Sequence, residues 1–134
     1  MSAGAPKTVF IVENLTQKRV IAARIQAAED SATRRRGLLE VQDLDPDSGI
    51  WLNPCEAVHT FGMKIDLDVI FLDADLRVRK IAAHLKPNRI AFCFTAHSVL
   101  EIRAGIAATS GLKRGDQLVL RADSQTTATV DSLR

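Results

Sequence analysis

Cys55-Glu-Ala-Val-His59 and Cys93-Phe-Thr-Ala-His97 repeat one spacing, a cysteine followed four residues later by a histidine. Thiolate and imidazole suit zinc, so two such pairs have the composition of a Cys₂His₂ site. The backbone that must present them disfavours it. Residues four apart meet one metal on a helix, but on a strand they stand about 13 Å apart. Cys93 falls in an alternating stretch, Ile90-Ala91-Phe92-Cys93-Phe94, and Pro54 opposes a helix across residues 53–59. The expectation is two small packed thiols, no metal site and no cofactor. Cys55 with His59 also has the composition of a nucleophile–base pair, although spacing reveals no third group to orient the base.

A second candidate is a carboxylate. In Asp66-Leu67-Asp68-Val69-Ile70-Phe71-Leu72, a strand puts Leu67, Val69 and Phe71 on one face. Asp66, Asp68, Ile70 and Leu72 share the other. Asp68 then projects beside two large apolar side chains, where a carboxylate must find a partner or take up a proton. Arg34, Arg35, Arg36 and His59 are the cations on offer. A buried ion pair that pins a helix and the His59–Met63 loop to the sheet is preferred over a catalytic role. Glu101 is a further carboxylate for proton transfer. Arg36, His59 and Met63 are candidates to line a ligand pocket around that loop. The Arg34–Arg36 run complements the dipole at the end of a helix, or holds an anion. Trp51 and the Phe residues are simplest as core. No phosphate-cradling glycine loop, Gly-x-Ser-x-Gly or His-Glu-x-x-His occurs.

The elements that must position these groups are short. Strands are predicted at 8–12, 19–26, 50–52, 67–72, 77–83, 90–94, 98–102 and 117–120, with a helix the alternative at 19–26 because Ala22, Ala23 and Ala27 favour one, and 58–63 reads as extended. Asp73-Ala74-Asp75 turns the clearest hairpin, a short helix is predicted near 32–39, and 104–110 reads as a short helix or a turn. Turns every 8–12 residues favour an antiparallel barrel or sandwich of six to eight short strands. Long crossover helices, which parallel pairs require, are not evident. Residues 1–7 and the Ser/Thr/Asp-rich 122–134 read as flexible ends around one domain at 8–121.

Composition narrows the function classes. The 134 residues are 46% hydrophobic, enough to build a core without staples. A net charge of +2 gives no strong pull toward nucleic acid, and aromatics at 4% with no Tyr offer few stacking platforms. No apolar run approaches the ~18 residues of a membrane span. Two cysteines are fewer than a disulfide-stapled secreted domain carries. The expectation is a reduced, cytoplasmic protein, a monomer or weak homo-oligomer.

Several motifs, in order, resemble the family known as domain of unknown function 192. They are Arg36-Gly37-Leu38-Leu39, His59-Thr60-Phe61-Gly62-Met63-Lys64, Leu67 to Asp73, Val99-Leu100-Glu101-Ile102-Arg103-Ala104-Gly105, and Gly111 with Gly115-Asp116. Leu39 stands where the family usually has Met. Phe61-Gly62-Met63 replaces the commoner Phe-Trp-Met and, like Cys55, resembles one subgroup. The resemblance covers about residues 8–121. It implies a compact, β-rich, barrel-like fold with a small helical part, and it implies no activity. Two function classes stand open. One is a small ligand-binding or regulatory module around the His59–Met63 loop. The other is a hydrolase-like enzyme using His59 with Asp68 or Cys55.

If the Cys-x3-His pairs lie on extended backbone, the purified protein carries no stoichiometric zinc. Elemental analysis checks this, and about one zinc per chain would overturn it.

Overall fold

The computed structural model describes residues 8–28 and 42–123. These form strands β1 (Val9–Asn14), β2 (Arg19–Ala28), β3 (Ser48–Leu52), β4 (Ala57–His59), β5 (Leu67–Leu72), β6 (Val78–Leu85), β7 (Ile90–Phe92), β8 (Ser98–Arg103) and β9 (Leu118–Ala122). A four-residue helix, α1 (Ile106–Thr109), precedes β9. Seven strands make one curled sheet in the order β6-β5-β8-β3-β2-β1-β9, and β4 pairs with β7 in a separate ribbon. At one end the two edges of the large sheet meet. Arg77 bridges Gln117, the Leu118 N–H donates to the Leu76 carbonyl, and the Val78 N–H donates to that of Asp116. The sheet is therefore barrel-like, as the turn spacing predicts.

One pair departs from the antiparallel expectation, because β2 and β3 run parallel. Parallel neighbours need a long crossover, and residues 29–47 supply it. The helix predicted at 32–39, with Arg34 to Arg36, belongs to the part of that crossover outside the described residues. Residues 1–7 and 124–134 likewise lie outside the described residues. Pairing continues past residue 121: Ala122 lies opposite Phe10, and the Asp123 N–H donates to the Val9 carbonyl at 2.7 Å.

All six residues of β5 are buried. Ile70 and Leu72 join Val12, Ile25, Leu100 and Ile102 in one core cluster. Leu67, Val69 and Phe71 join Ile50, Val58, Met63 and Val99 in a second, on the face that the ribbon covers. The strand's two faces divide as the alternation predicts, and apart from Asp68 it is apolar because both are covered. Close packing reaches the backbone at Gly49, where a β-carbon would strike the Glu101 carbonyl oxygen and the side chains of Ile25 and Ile102.

Asp68 is fully buried, as expected, and its contacts within the described residues are backbone N–H groups. Oδ1 accepts from His84 at 2.9 Å, and Oδ2 accepts from Gly105 at 3.0 Å and Ala107 at 2.9 Å. Three amide dipoles thus do the work for which the sequence predicts a cation, Arg36 itself lying outside the described residues. Gly105 has φ of 98°, a left-handed conformation that glycine adopts without strain, and this conformation helps present its N–H to the carboxylate. One carboxylate therefore ties β5 to the end of β6 and to the start of α1.

Asp116 plays a matching part where the barrel closes. Its Oδ2 accepts from the Asn14 side chain at 2.9 Å, the Lys113 N–H at 2.9 Å and the Gln17 side chain at 3.4 Å. Burial pushes this carboxyl up, but the hydrogen bonds and the Lys113 charge outweigh it and hold the group below the usual carboxylate range.

Two outcomes follow. Asp68→Asn sets an NH₂ against one of the three N–H donors and should cost about 2–3 kcal/mol by denaturant unfolding. Asp66→Asn, which loses a surface contact to Lys86 at 3.8 Å, should stay within about 0.5 kcal/mol; equal losses would reverse the two faces. Because the folded-state pKa of Asp116 is depressed, its contribution is present above the unfolded value and lost as pH falls through the folded one. Asp116→Asn should therefore lower the melting temperature at pH 7 and flatten its decline below about pH 4.

Candidate functional site

The ribbon carries the surface feature that the core does not explain. Ala57 lies opposite Phe92, Val58 opposite Ala91, and His59 opposite Ile90. Side chains alternate along each strand, so Val58 and Ala91 turn inward and are buried, while His59, Ile90 and Phe92 turn outward. The rows extend beyond the paired residues. The Phe61 ring stacks on His59 with centroids 5.1 Å apart, and Phe94 packs against Phe92 at 4.9 Å. Phe61 and Phe92 are 49% exposed, Ile90 64% and Phe94 82%. Three of the chain's five phenylalanines therefore lie on one outward face.

For Phe61, Phe92 and Phe94 this corrects the expectation that the Phe residues are core, whereas Phe71 is buried in the core and Phe10 packs against it, as expected. The inner side of the ribbon rests on a cluster already holding Met63, Val69 and Phe71, and the smaller Val58 and Ala91 are the residues packed there. The available signal was the alternation of bulky Ile90, Phe92 and Phe94 with small Ala91 and Cys93, on a short strand between Asn88-Arg89 and Thr95. Period alone leaves open which set faces in.

Thr60 fixes the end of the ribbon. It is buried; its hydroxyl donates to the Lys86 carbonyl at 2.6 Å and accepts from the Arg89 N–H at 2.9 Å. Its own N–H donates to the Arg89 carbonyl, and its carbonyl accepts from Met63 and Asn88. Cations border the face. Lys80 Nζ donates to the Phe92 carbonyl at 2.9 Å and lies 5.5 Å from that ring's centroid. Arg79 Nε donates to Thr95 Oγ1 at 3.2 Å, and the Arg89 guanidinium donates to the Pro87 and Asn88 carbonyls at 3.3 Å each. None of these three cations has a carboxylate partner among the described residues.

At the other end of the ribbon, Pro54, Cys55, Glu56, Ala96 and His97 line an open recess of about 360 Å³. The Cys55 N–H donates to the His97 carbonyl, and the Cys93 N–H to that of Glu56. The Cys55 thiol donates to the Ala57 carbonyl at 3.1 Å, and the Cys93 sulfur meets Thr95 Oγ1 at 3.3 Å. The two Cys-x3-His pairs are thus split, with Cys55 brought beside His97 while His59 stacks on Phe61. Among the described residues, no group of three or more His, Cys, Asp or Glu is arranged to hold a metal ion.

The remaining candidates are dispersed. Asp68 lies on the Ile70 face of β5. Glu101, buried on β8 opposite Ile50 and Val69, lies on the other face of the same sheet. Met63 is a buried member of the core beneath the ribbon. Arg36 is outside the described residues.

Comparison with known proteins fits this architecture. A protein of unknown function from Novosphingobium aromaticivorans DSM 12444 superimposes with a TM-score of 0.73 at 29% identity, over 87% of this chain and 94% of that one. A protein from Sinorhizobium meliloti 1021, named a "putative transcription regulator", superimposes with a TM-score of 0.74 at 22% identity, over 90% and 98%. No curated protein matches the chain. The profile of DUF192, described as an uncharacterized ACR, matches residues 12–120, and the chain belongs to that family.

Proposed function

We propose that this protein is a small cytoplasmic binding module that engages an apolar stretch of a partner through the outer face of the β4–β7 ribbon. The observation that carries this is the exposure of Phe61, Ile90, Phe92 and Phe94 on one outward face of the ribbon. Each square ångström of apolar surface left in water forgoes about 25 cal/mol, and exposed apolar patches of this kind mark interaction sites. The alternative, a hydrolase-like enzyme using His59 with Asp68 or Cys55, finds less support. Both Asp68 oxygens are occupied by backbone N–H groups on the far side of β5, and His59 faces outward, away from that site. Cys55 and Cys93 form no disulfide, which suits a reducing compartment, and no helix among the described residues is long and apolar enough to cross a membrane.

The double variant Phe92→Ser/Phe94→Ser separates a binding face from a structural one. Its melting temperature should stay within about 4 °C of the parent, whereas Phe71→Ala, at a fully buried ring, should lose about 3–5 kcal/mol. The apolar dye anilinonaphthalene sulfonate should bind the native parent saturably, and the double variant should abolish that signal. Dye binding that survives in the variant, or a large drop in its stability, would overturn the proposal.

A further inference from the structure

We infer that the partner is an acidic protein segment, bound extended along the ribbon, with apolar side chains on the aromatic row and carboxylates on the cations beside it. This rests on the ribbon being the binding face and adds the chemistry of what it binds. Within residues 53–64 and 86–97 the carboxylate is Glu56, against Lys64, Lys86 and Arg89. Lys86 is shared with Asp66, but Arg79, Lys80 and Arg89 keep their charge uncompensated among the described residues. Those three are also held in place, each by a hydrogen bond to a carbonyl or hydroxyl of the 87–95 segment. Uncompensated cations bordering an apolar face are complementary to alternating apolar and acidic side chains, and that complementarity steers association and sets specificity.

The geometry separates a peptide from other anionic partners. Paired strands of three residues span about 10 Å, and the flanking Phe61 and Phe94 lengthen the row to suit a short extended segment. A single-stranded nucleic acid needs open ring faces for its bases. Here His59 and Phe61 are stacked on each other, Phe94 lies against Phe92, and Lys80 lies near the Phe92 ring. A lipid surface calls for long cations free to reach headgroups, whereas Lys80 is folded back onto the Phe92 carbonyl.

Fluorescence anisotropy on the full chain tests this with labelled synthetic peptides in which leucine alternates with glutamate, serine or lysine. A labelled oligothymidylate and phosphatidylserine vesicles serve as competing anions. The glutamate peptide should bind at least about tenfold more tightly than the serine peptide, and the lysine peptide most weakly. The advantage should vanish at about 0.5 M sodium chloride, where the Debye length is about 4 Å. It should vanish equally in Lys80→Gln/Arg89→Gln, while Phe92→Ser/Phe94→Ser weakens every peptide. Equal binding of the glutamate and serine peptides would overturn the acidic assignment and leave the ribbon reading standing. Binding of no peptide would overturn both. Preference for the oligonucleotide or the vesicles, or a glutamate advantage that survives the cation variant, would overturn the inference.

Discussion

A carboxylate in the middle of an apolar strand is expensive unless the backbone meets it, and at Asp68 the backbone meets it three times. The three donors come from parts of the chain that follow the strand at very different distances, His84 at the end of β6 and Gly105 with Ala107 at the start of α1. Without the carboxylate those N–H groups would face the core unsatisfied. The bond set therefore fixes where β6 ends, where β8 stops, and how the chain turns toward β9. The ribbon and its aromatic face hang from the same frame, because β4 leads into β5 and β7 leaves β6.

The Asn14–Asp116 contact serves the opposite end of the curl in the same way. A buried amide and a buried carboxylate, distant in sequence, bring the end of β1 to the approach of β9 where the edges of the sheet meet. Two of the motifs through which the chain resembles its family, Leu67 to Asp73 and the Gly115-Asp116 close, thus supply the locks of the barrel. A third, ending at Gly105, supplies the donor that one lock needs. The face proposed for binding combines Phe61, from the His59–Lys64 motif, with Ile90, Phe92 and Phe94, which lie outside the motifs.

Much of the fold was legible because local signals and tertiary structure agree. Leu67 to Leu72 has the predicted bounds and the predicted faces, and Asp73 turns its hairpin by accepting the Asp75 and Arg77 N–H groups. The β2–β3 pair was not legible, since strand direction depends on the crossover and not on the strand's own residues. The partner of Asp68 was missed for a similar reason. Side-chain composition advertises cations, while backbone N–H groups exist at every residue and become a site only when a turn such as that at Gly105 aims them. The outward face of the ribbon was hidden by the habit of assigning bulky residues inward, which fails where a three-residue strand lies over a core that is already full.

The pairing of β1 with β9 also decides how the molecule responds to being pulled. Val9 opens the first strand and Asp123 follows the last, and they are joined by a hydrogen bond at the same edge of the sheet. Tension applied at these two points acts across the strands and loads the ladder one rung at a time, beginning with Asp123 to Val9 and moving toward Asn14 and Leu118. Peeling of this kind yields at low force. A tether at either end would strip β9 from the barrel before it disturbed β5 and β6, which Asp68 holds together.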